Sequence, residues 1–283
     1  MTCIPRGGPP QSRPGRLAAG PLAVRQGSAP AEGPAVRVFV DFDGTITRRD
    51  VGDEMFASFG CAETCAAIID EYRQGRISAV ECFERECRAC GDVDRQALDE
   101  FLDGEAIDPS FPDFVRFCRD NEFDLVVVSD GMDYYIRRIL GRHGAGDVPF
   151  LSNVLDFAAG SVPGTVRFSP RFPHRDETCD RCASCKRNHM LLRSGDEDLI
   201  VYAGEGFSDR CPVRYADIVF AKDELLRFCE EENISYFRYE SFADVGRRLG
   251  SMPGLVPGRR AGGLRKWKRR RAELARREVY AGG

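Results

Sequence analysis

Two aspartates one residue apart follow an apolar, β-branched run in VRVFVDFDGTIT, residues 36–47. A side-chain carboxylate has a reference pKa of about 3.9, so Asp41 is ionised at neutral pH and can attack an electrophile without a base to activate it. Phosphorus is such an electrophile, and the attack gives an aspartyl phosphate. Asp43 lies two residues on, on the same face of an extended chain. There it can protonate the leaving oxygen and then take a proton from water. Gly44 lets the backbone turn close to a ligand, and Thr45 offers its N–H and hydroxyl to phosphoryl oxygens.

An anionic nucleophile is repelled by a phosphate dianion unless cations and aimed N–H groups offset the charge. Three further segments supply them. In VVVSDGMDYYI, Ser129, Asp130 and Gly131 stand between a strand and a helix, where exposed N–H groups and the helix dipole favour an anion. Lys186 opens the helix before the next strand and brings a fixed positive charge to the phosphate. In YAGEGFSDRCP, Glu205 and Asp209 add carboxylates to Asp41 and Asp43, an oxygen set suited to Mg2+.

The elements that must position these groups alternate. Short apolar strands are predicted over 124–130, 198–206, 217–222 and 234–240, with helical runs between them. Near-continuous apolar strands alternating with helices predict an α/β fold, a Rossmann-like parallel sheet covered by helices on both faces. Ligands bind beyond the carboxyl ends of such strands. Asp41 and Asp43, Ser129 and Asp130, Glu205 and Lys222 each end one, so they should meet in a single crevice. Residues 51–112 show four helical patterns and no convincing strand, which predicts an all-helical cap inserted after the first strand. The core is then 36–50 and 113–250.

The ends differ from this body. A net charge of −4 hides a middle of −15 between ends of +3 (1–35) and +8 (251–283). The Gly/Pro/Arg-rich leader, 1–35, has no apolar period and is expected to be disordered. The basic tail, 251–283, is expected to be flexible; a nucleic-acid or acidic-partner contact is the functional alternative to a merely solvated tail. No run is long and apolar enough for a membrane helix and no secretory h-region is seen, so no membrane contact and a cytoplasmic location are expected. Most of the twelve cysteines are scattered through helical patterns, as with Cys82, Cys118 and Cys229, and read as buried reduced thiols. Cys179, Cys182 and Cys185 have metal-ligand spacing, with His174 upstream, and are a candidate zinc set; thiols in a loop beside the active site are the other reading. His143 is expected to cap a helix C-terminus. Oligomeric state is not legible.

The set DFDGTIT, VVSDG, CASCKR and GEGFSDRC, in that order, resembles the four motifs of the haloacid dehalogenase superfamily of phosphatases over residues 36–248. The helical insertion is similar to the C1 cap of the phosphoserine-phosphatase-like branch. The stretch ADIVFAKDELLRFCEEENISYFRYESFADV, with Cys-x-x-Cys-Lys, looks most like the methionine-salvage group acting on 2-hydroxy-3-keto-5-methylthiopentenyl 1-phosphate. The resemblance implies a Mg2+-dependent phosphomonoester hydrolase for a small phosphate ester. Phosphoserine or phosphosugar hydrolysis is the alternative within enzymes, and a catalytically weak interaction protein the alternative outside them. It also implies a substrate-facing acid at Asp50, where a helix N-cap is the other reading. One departure stands out: the family's fourth motif begins Gly-Asp, whereas Gly204 is followed by Glu205, whose carboxylate lies one methylene farther out.

Overall fold

The computed structural model describes residues 34–256; the leader up to residue 33 and the tail from 257 lie outside the described residues. β1 (Val36–Val40) is followed by α1 (Val51–Phe59), α2 (Ala62–Arg73), α3 (Ala79–Cys90), the two-residue β2 (Val93–Asp94) and α4 (Arg95–Asp103). α5 (Phe111–Asp120) leads to β3 (Asp124–Met132), α6 (Asp133–Arg142) and a hairpin of β4 (Phe150–Ala159) and β5 (Thr165–Arg171). α7 (Lys186–Leu192), β6 (Leu199–Gly204), β7 (Ile218–Ala221), α8 (Asp223–Glu231), β8 (Phe237–Arg238) and α9 (Phe242–Ser251) complete the order.

The eight strands form one sheet in the order β2-β5-β4-β3-β1-β6-β7-β8. From β4 to β8 every pairing is parallel, as the alternating pattern predicts. β1 and β6 are buried nearly throughout, which suits strands covered on both faces. The chain leaves β1 for β3 on one side and reaches β6 on the other, so β1 ends at a topological switch point, where such sheets bind ligands.

The far edge adds an antiparallel part to the expected parallel sheet. β4 pairs antiparallel with β5, and β5 with β2, so the sheet is mixed. No strand is predicted over 150–171 or inside the cap because both hairpin strands are only half buried and polar residues such as Asp156 and Arg167 interrupt their apolar runs. Tertiary contacts supply what the local pattern lacks. Phe56 of α1 meets Phe168 of β5 edge to face at 6.2 Å, and Phe83 of α3 lies 6.3 Å from Phe172.

All four expected cap helices form. Ser78 and Asp94 cap α3 and α4 by accepting from Glu81 N (3.1 Å) and Ala97 N (2.8 Å). At the other end, α9 runs to Ser251, and Met252 and Leu255 are buried in the core; the rest of the expected tail lies outside the described residues.

Candidate active site

Asp41 continues β1 by donating its N–H to the Ala203 carbonyl of β6 (3.0 Å). Beyond it the chain coils around one carbonyl: the N–H groups of Thr45, Ile46 and Thr47 all point to Phe42 O, at 3.2, 2.9 and 3.1 Å. Gly44 takes φ +64° in this turn, a left-handed conformation that favours glycine. The turn brings Asp43 back over the strand end. Asp43 Oδ2 accepts from Tyr135 Oη (2.9 Å) and Ser129 Oγ (3.3 Å), and Oδ1 accepts from Val51 N (3.2 Å). Gly131 makes this possible, because a Cβ there would stand 1.8 Å from Tyr135 Oη and 2.6 Å from Asp43 Oδ2.

Lys186, at the start of α7, is 1 % exposed and spends all three ammonium donors inside the protein. They reach Asp41 Oδ1 (2.7 Å), Asp209 Oδ1 (2.7 Å) and Ser208 Oγ (2.8 Å). Burial alone would lower the lysine pKa; Asp209 and Asp41 outweigh it, and the pKa stands above the ordinary value. The loop before Lys186 is pinned by Asp130, whose Oδ1 accepts from Ala183 N and Ser184 N, each at 2.7 Å.

Asp209 is saturated. Its Oδ1 also accepts from Tyr202 Oη (2.5 Å), and Oδ2 from Glu205 N (2.9 Å) and Gly206 N (3.1 Å), so this expected metal ligand faces Lys186 from within the core. Thr45 donates from Oγ1 to Asp41 Oδ2 (3.4 Å) and is buried with Ser129 behind the surface. Asp41, Asp43, Asp50, Asp130, Gly131 and Glu205 line one cavity of about 390 Å³, between the strand ends and the cap helices. Asp50 caps α1 by accepting from Asp53 N (2.8 Å), as the N-cap reading has it, and it also lines this cavity.

Burial and the Asp209 charge raise the Asp41 pKa to about 7 against the pull of Lys186, and burial with Asp50 and Asp41 lifts Asp43 well above its ordinary value. Glu205 is raised to about 8 by burial, then by Asp41 and Asp209. The wall thus gathers more negative charge than Lys186 balances. Glu205 lies against the turn, since a Cβ on Gly44 would be 2.9 Å from its Oε1. These hard oxygen donors in an anionic wall fit Mg2+. Among the described residues no three of His, Cys, Asp and Glu converge as a ready cage, so two carboxylates with water would hold it, a common arrangement for this ion.

The zinc set is not assembled. His174 packs edge to face on His189 at 4.7 Å, its carbonyl accepts from Cys185 N (2.9 Å), and Cys185 Sγ is directed to Asp176 Oδ2 (4.0 Å). Among the described residues no three of His, Cys, Asp and Glu are placed there to hold a metal ion. His143 is the C-cap residue of α6, with Nε2 2.9 Å from Glu105 O.

A family model described as haloacid dehalogenase-like hydrolase matches residues 38–211. The chain belongs to that family. A 2-hydroxy-3-keto-5-methylthiopentenyl-1-phosphate phosphatase from Bacillus cereus is 30% identical over 76% of this chain and 96% of its own length. Pdp3-interacting factor 1 from Schizosaccharomyces pombe is 28% identical over 75% of this chain and 93% of its own length. Among solved structures, a phospho-aspartyl intermediate analogue of a phosphoserine phosphatase superposes with a TM-score of 0.58 at 15% identity, covering 76% of this chain and 98% of that one, a likeness of fold. Family and relatives place the chain among the phosphatases. Its motif residues left three partners unforeseen: Tyr135, Tyr202 and Ser208, which orient Asp43, Asp209 and Lys186. Tyr135 follows the SDG segment by one helical turn, a weak signal; Tyr202 reads simply as strand core.

Proposed function

We propose that the chain is a Mg2+-dependent phosphomonoester hydrolase acting on a small phosphorylated metabolite through an aspartyl phosphate on Asp41. The observation that carries this reading is the 2.7 Å contact of Asp41 Oδ1 with Lys186 Nζ, with Asp43 in the same cavity wall. Lys186 orients the Asp41 carboxylate and favours its ionised, nucleophilic form. An Asp41 oxygen attacks phosphorus, and the bond from phosphorus to the leaving oxygen breaks.

Asp43 supplies the proton for that oxygen. Burial beside Asp50 and Asp41 favours its protonated form, and Tyr135 and Ser129 fix its direction. In the second half, Asp43 takes a proton from water as the water oxygen attacks phosphorus, and the bond to Asp41 breaks. Ser129 and Lys186 adjoin these carboxylates, Thr45 shapes the turn, and Gly131 leaves room for Tyr135 against Asp43, which is how the expected phosphate-contact residues serve the site. Asp130 holds the loop of Lys186, and Asp209 holds the lysine itself. Asp41 and Glu205 would hold Mg2+, which would supply positive charge to offset the approach of two anions.

No helix among the described residues is long and apolar enough to cross a membrane. The described cysteines are free thiols, which supports the cytoplasmic reading. Asp41→Asn tests the mechanism: hydrolysis of 4-nitrophenyl phosphate with Mg2+ should fall on the order of 10⁴-fold or more, the scale of losing a nucleophile. The hydroxylamine-sensitive phosphoenzyme should vanish with it. Substantial residual turnover by that variant would refute an aspartyl phosphate at this position.

A further inference from the structure

The cavity has a second wall, supplied by the cap, and it is built differently from the first. Asp53 of α1, Arg73 of α2, and Cys82, Phe83 and Glu86 of α3 line it. Glu86 is 2 % exposed, yet its hydrogen bonding is nearly empty. Oε2 accepts from the Cys82 thiol, a weak donor, at 3.8 Å, and Oε1 has no partner. A buried carboxylate oxygen without a donor is costly, and native proteins seldom keep one without a use. The groups acting on Glu86 sharpen the point. Burial first, then the charges of Asp53 and Asp50, push its pKa up to about 8, against the weak hydrogen bond of the Cys82 thiol, which lowers it. Arg73 acts on Asp50 and Asp53.

Resting on the phosphomonoester reading, we propose that Glu86, with Asp53, is the subsite for a protonated amine on the leaving group, and so decides which phosphate esters the enzyme prefers. A hydroxyl would bring one donor and no charge. An ammonium brings three N–H donors and the positive charge that these crowded carboxylates lack. The cavity would then read a two-ended molecule: a phosphate at Asp41, and a cation under α3. The helix that carries Glu86 is anchored to the core, since Ala79 N donates to Asp180 O (3.0 Å), so the subsite keeps a fixed distance from the strand ends.

The test compares two phosphonates of equal length that cannot be hydrolysed, 3-aminopropylphosphonate and butylphosphonate, which differ only in NH3+ against CH3. Their binding to the full-length protein with Mg2+ is measured by calorimetry. The amine should bind at least about tenfold more tightly, the worth of one charge-assisted contact. In Glu86→Gln that ratio should fall towards one, and Glu86→Asp should recover part of it, with unfolding curves showing all three proteins folded. A purely structural glutamate would shift both ligands equally and leave the ratio intact. A ratio near one in the wild type, a ratio untouched in Glu86→Gln, or failure to bind either phosphonate overturns the subsite. Hydrolysis of 4-nitrophenyl phosphate by the wild type is followed in parallel. Hydrolysis with a ratio of one sinks the subsite alone, and a tenfold ratio without hydrolysis sinks the phosphatase reading alone.

Discussion

The two walls of the cavity are made of the same kinds of residue and solve opposite problems. On the strand-end wall, Asp41, Asp43 and Asp209 accept from Lys186, Tyr135, Ser129, Tyr202 and backbone N–H groups, so each charge is directed. On the cap wall, Glu86 is as deeply buried as Asp41 but keeps one oxygen bare. A satisfied network fixes geometry whatever is bound, as a reaction centre requires. An unsatisfied carboxylate waits for a donor from elsewhere. The same contrast occurs within one turn of chain: Asp209 has four donors, and Glu205, four residues earlier, turns its carboxylate to the cavity.

Breaking the directed wall should cost most at its centre. Lys186→Met leaves Asp41 and Asp209 buried without their shared cation, which should lower unfolding stability by about 3–5 kcal/mol in a denaturant titration and abolish turnover. If stability were unchanged, the lysine would not be the keystone of the wall. The cavity-facing carboxylate comes next. Glu205→Ala should weaken Mg2+ binding by at least about tenfold, the effect that even an outer partner of a metal site can have. Glu205→Asp, which restores the family's usual residue, should keep both metal binding and activity. A metal titration showing equal affinity in wild type and Glu205→Ala would remove Glu205 from the metal set.

Tyr135→Phe is a finer probe of the same wall. It deletes one of two donors to Asp43 Oδ2 while keeping the ring against Phe42, 6.0 Å away. A loss of about tenfold in kcat with little change in KM is expected, the size of one hydrogen bond to a charged group. The cap wall is probed through a pH dependence. The pKa of Glu86 rises from 4.5 to about 8 on folding, so its contribution to stability is complete below about pH 4.5 and is lost as pH rises through 8. Asp53 and Asp50 of α1 and Cys82 on its own helix face it. Glu86→Gln, which cannot titrate, should therefore raise the Tm at pH 8 relative to wild type and have its least favourable effect near pH 4.5. A difference in Tm that does not vary with pH would mean that Glu86 is not held in this environment.

Much of this architecture can be read along the chain. The run VRVFV ending in Asp-Phe-Asp-Gly-Thr, the four helical patterns of the cap, and the alternation from residue 111 onward are local patterns, and local patterns survive folding. The meeting of Asp41, Ser129 and Glu205 at the ends of adjacent strands also follows from strand order in a parallel sheet, with Lys186 brought in by the start of α7. What the sequence could not decide depends on long-range burial. The β4–β5 hairpin is half exposed and gains its partners from α1 and α3, so its apolar pattern is too broken to announce two strands. Asp209 and Glu205 are chemically alike and four residues apart, and only packing against Tyr202 and Lys186 turned one into a support and the other towards the cavity. Glu86 reads as one more polar residue of an amphipathic helix. Its burial, its bare oxygen and its carboxylate neighbours exist only once α1 and α3 close over the strand ends, because desolvation and charge crowding are properties of the assembled fold.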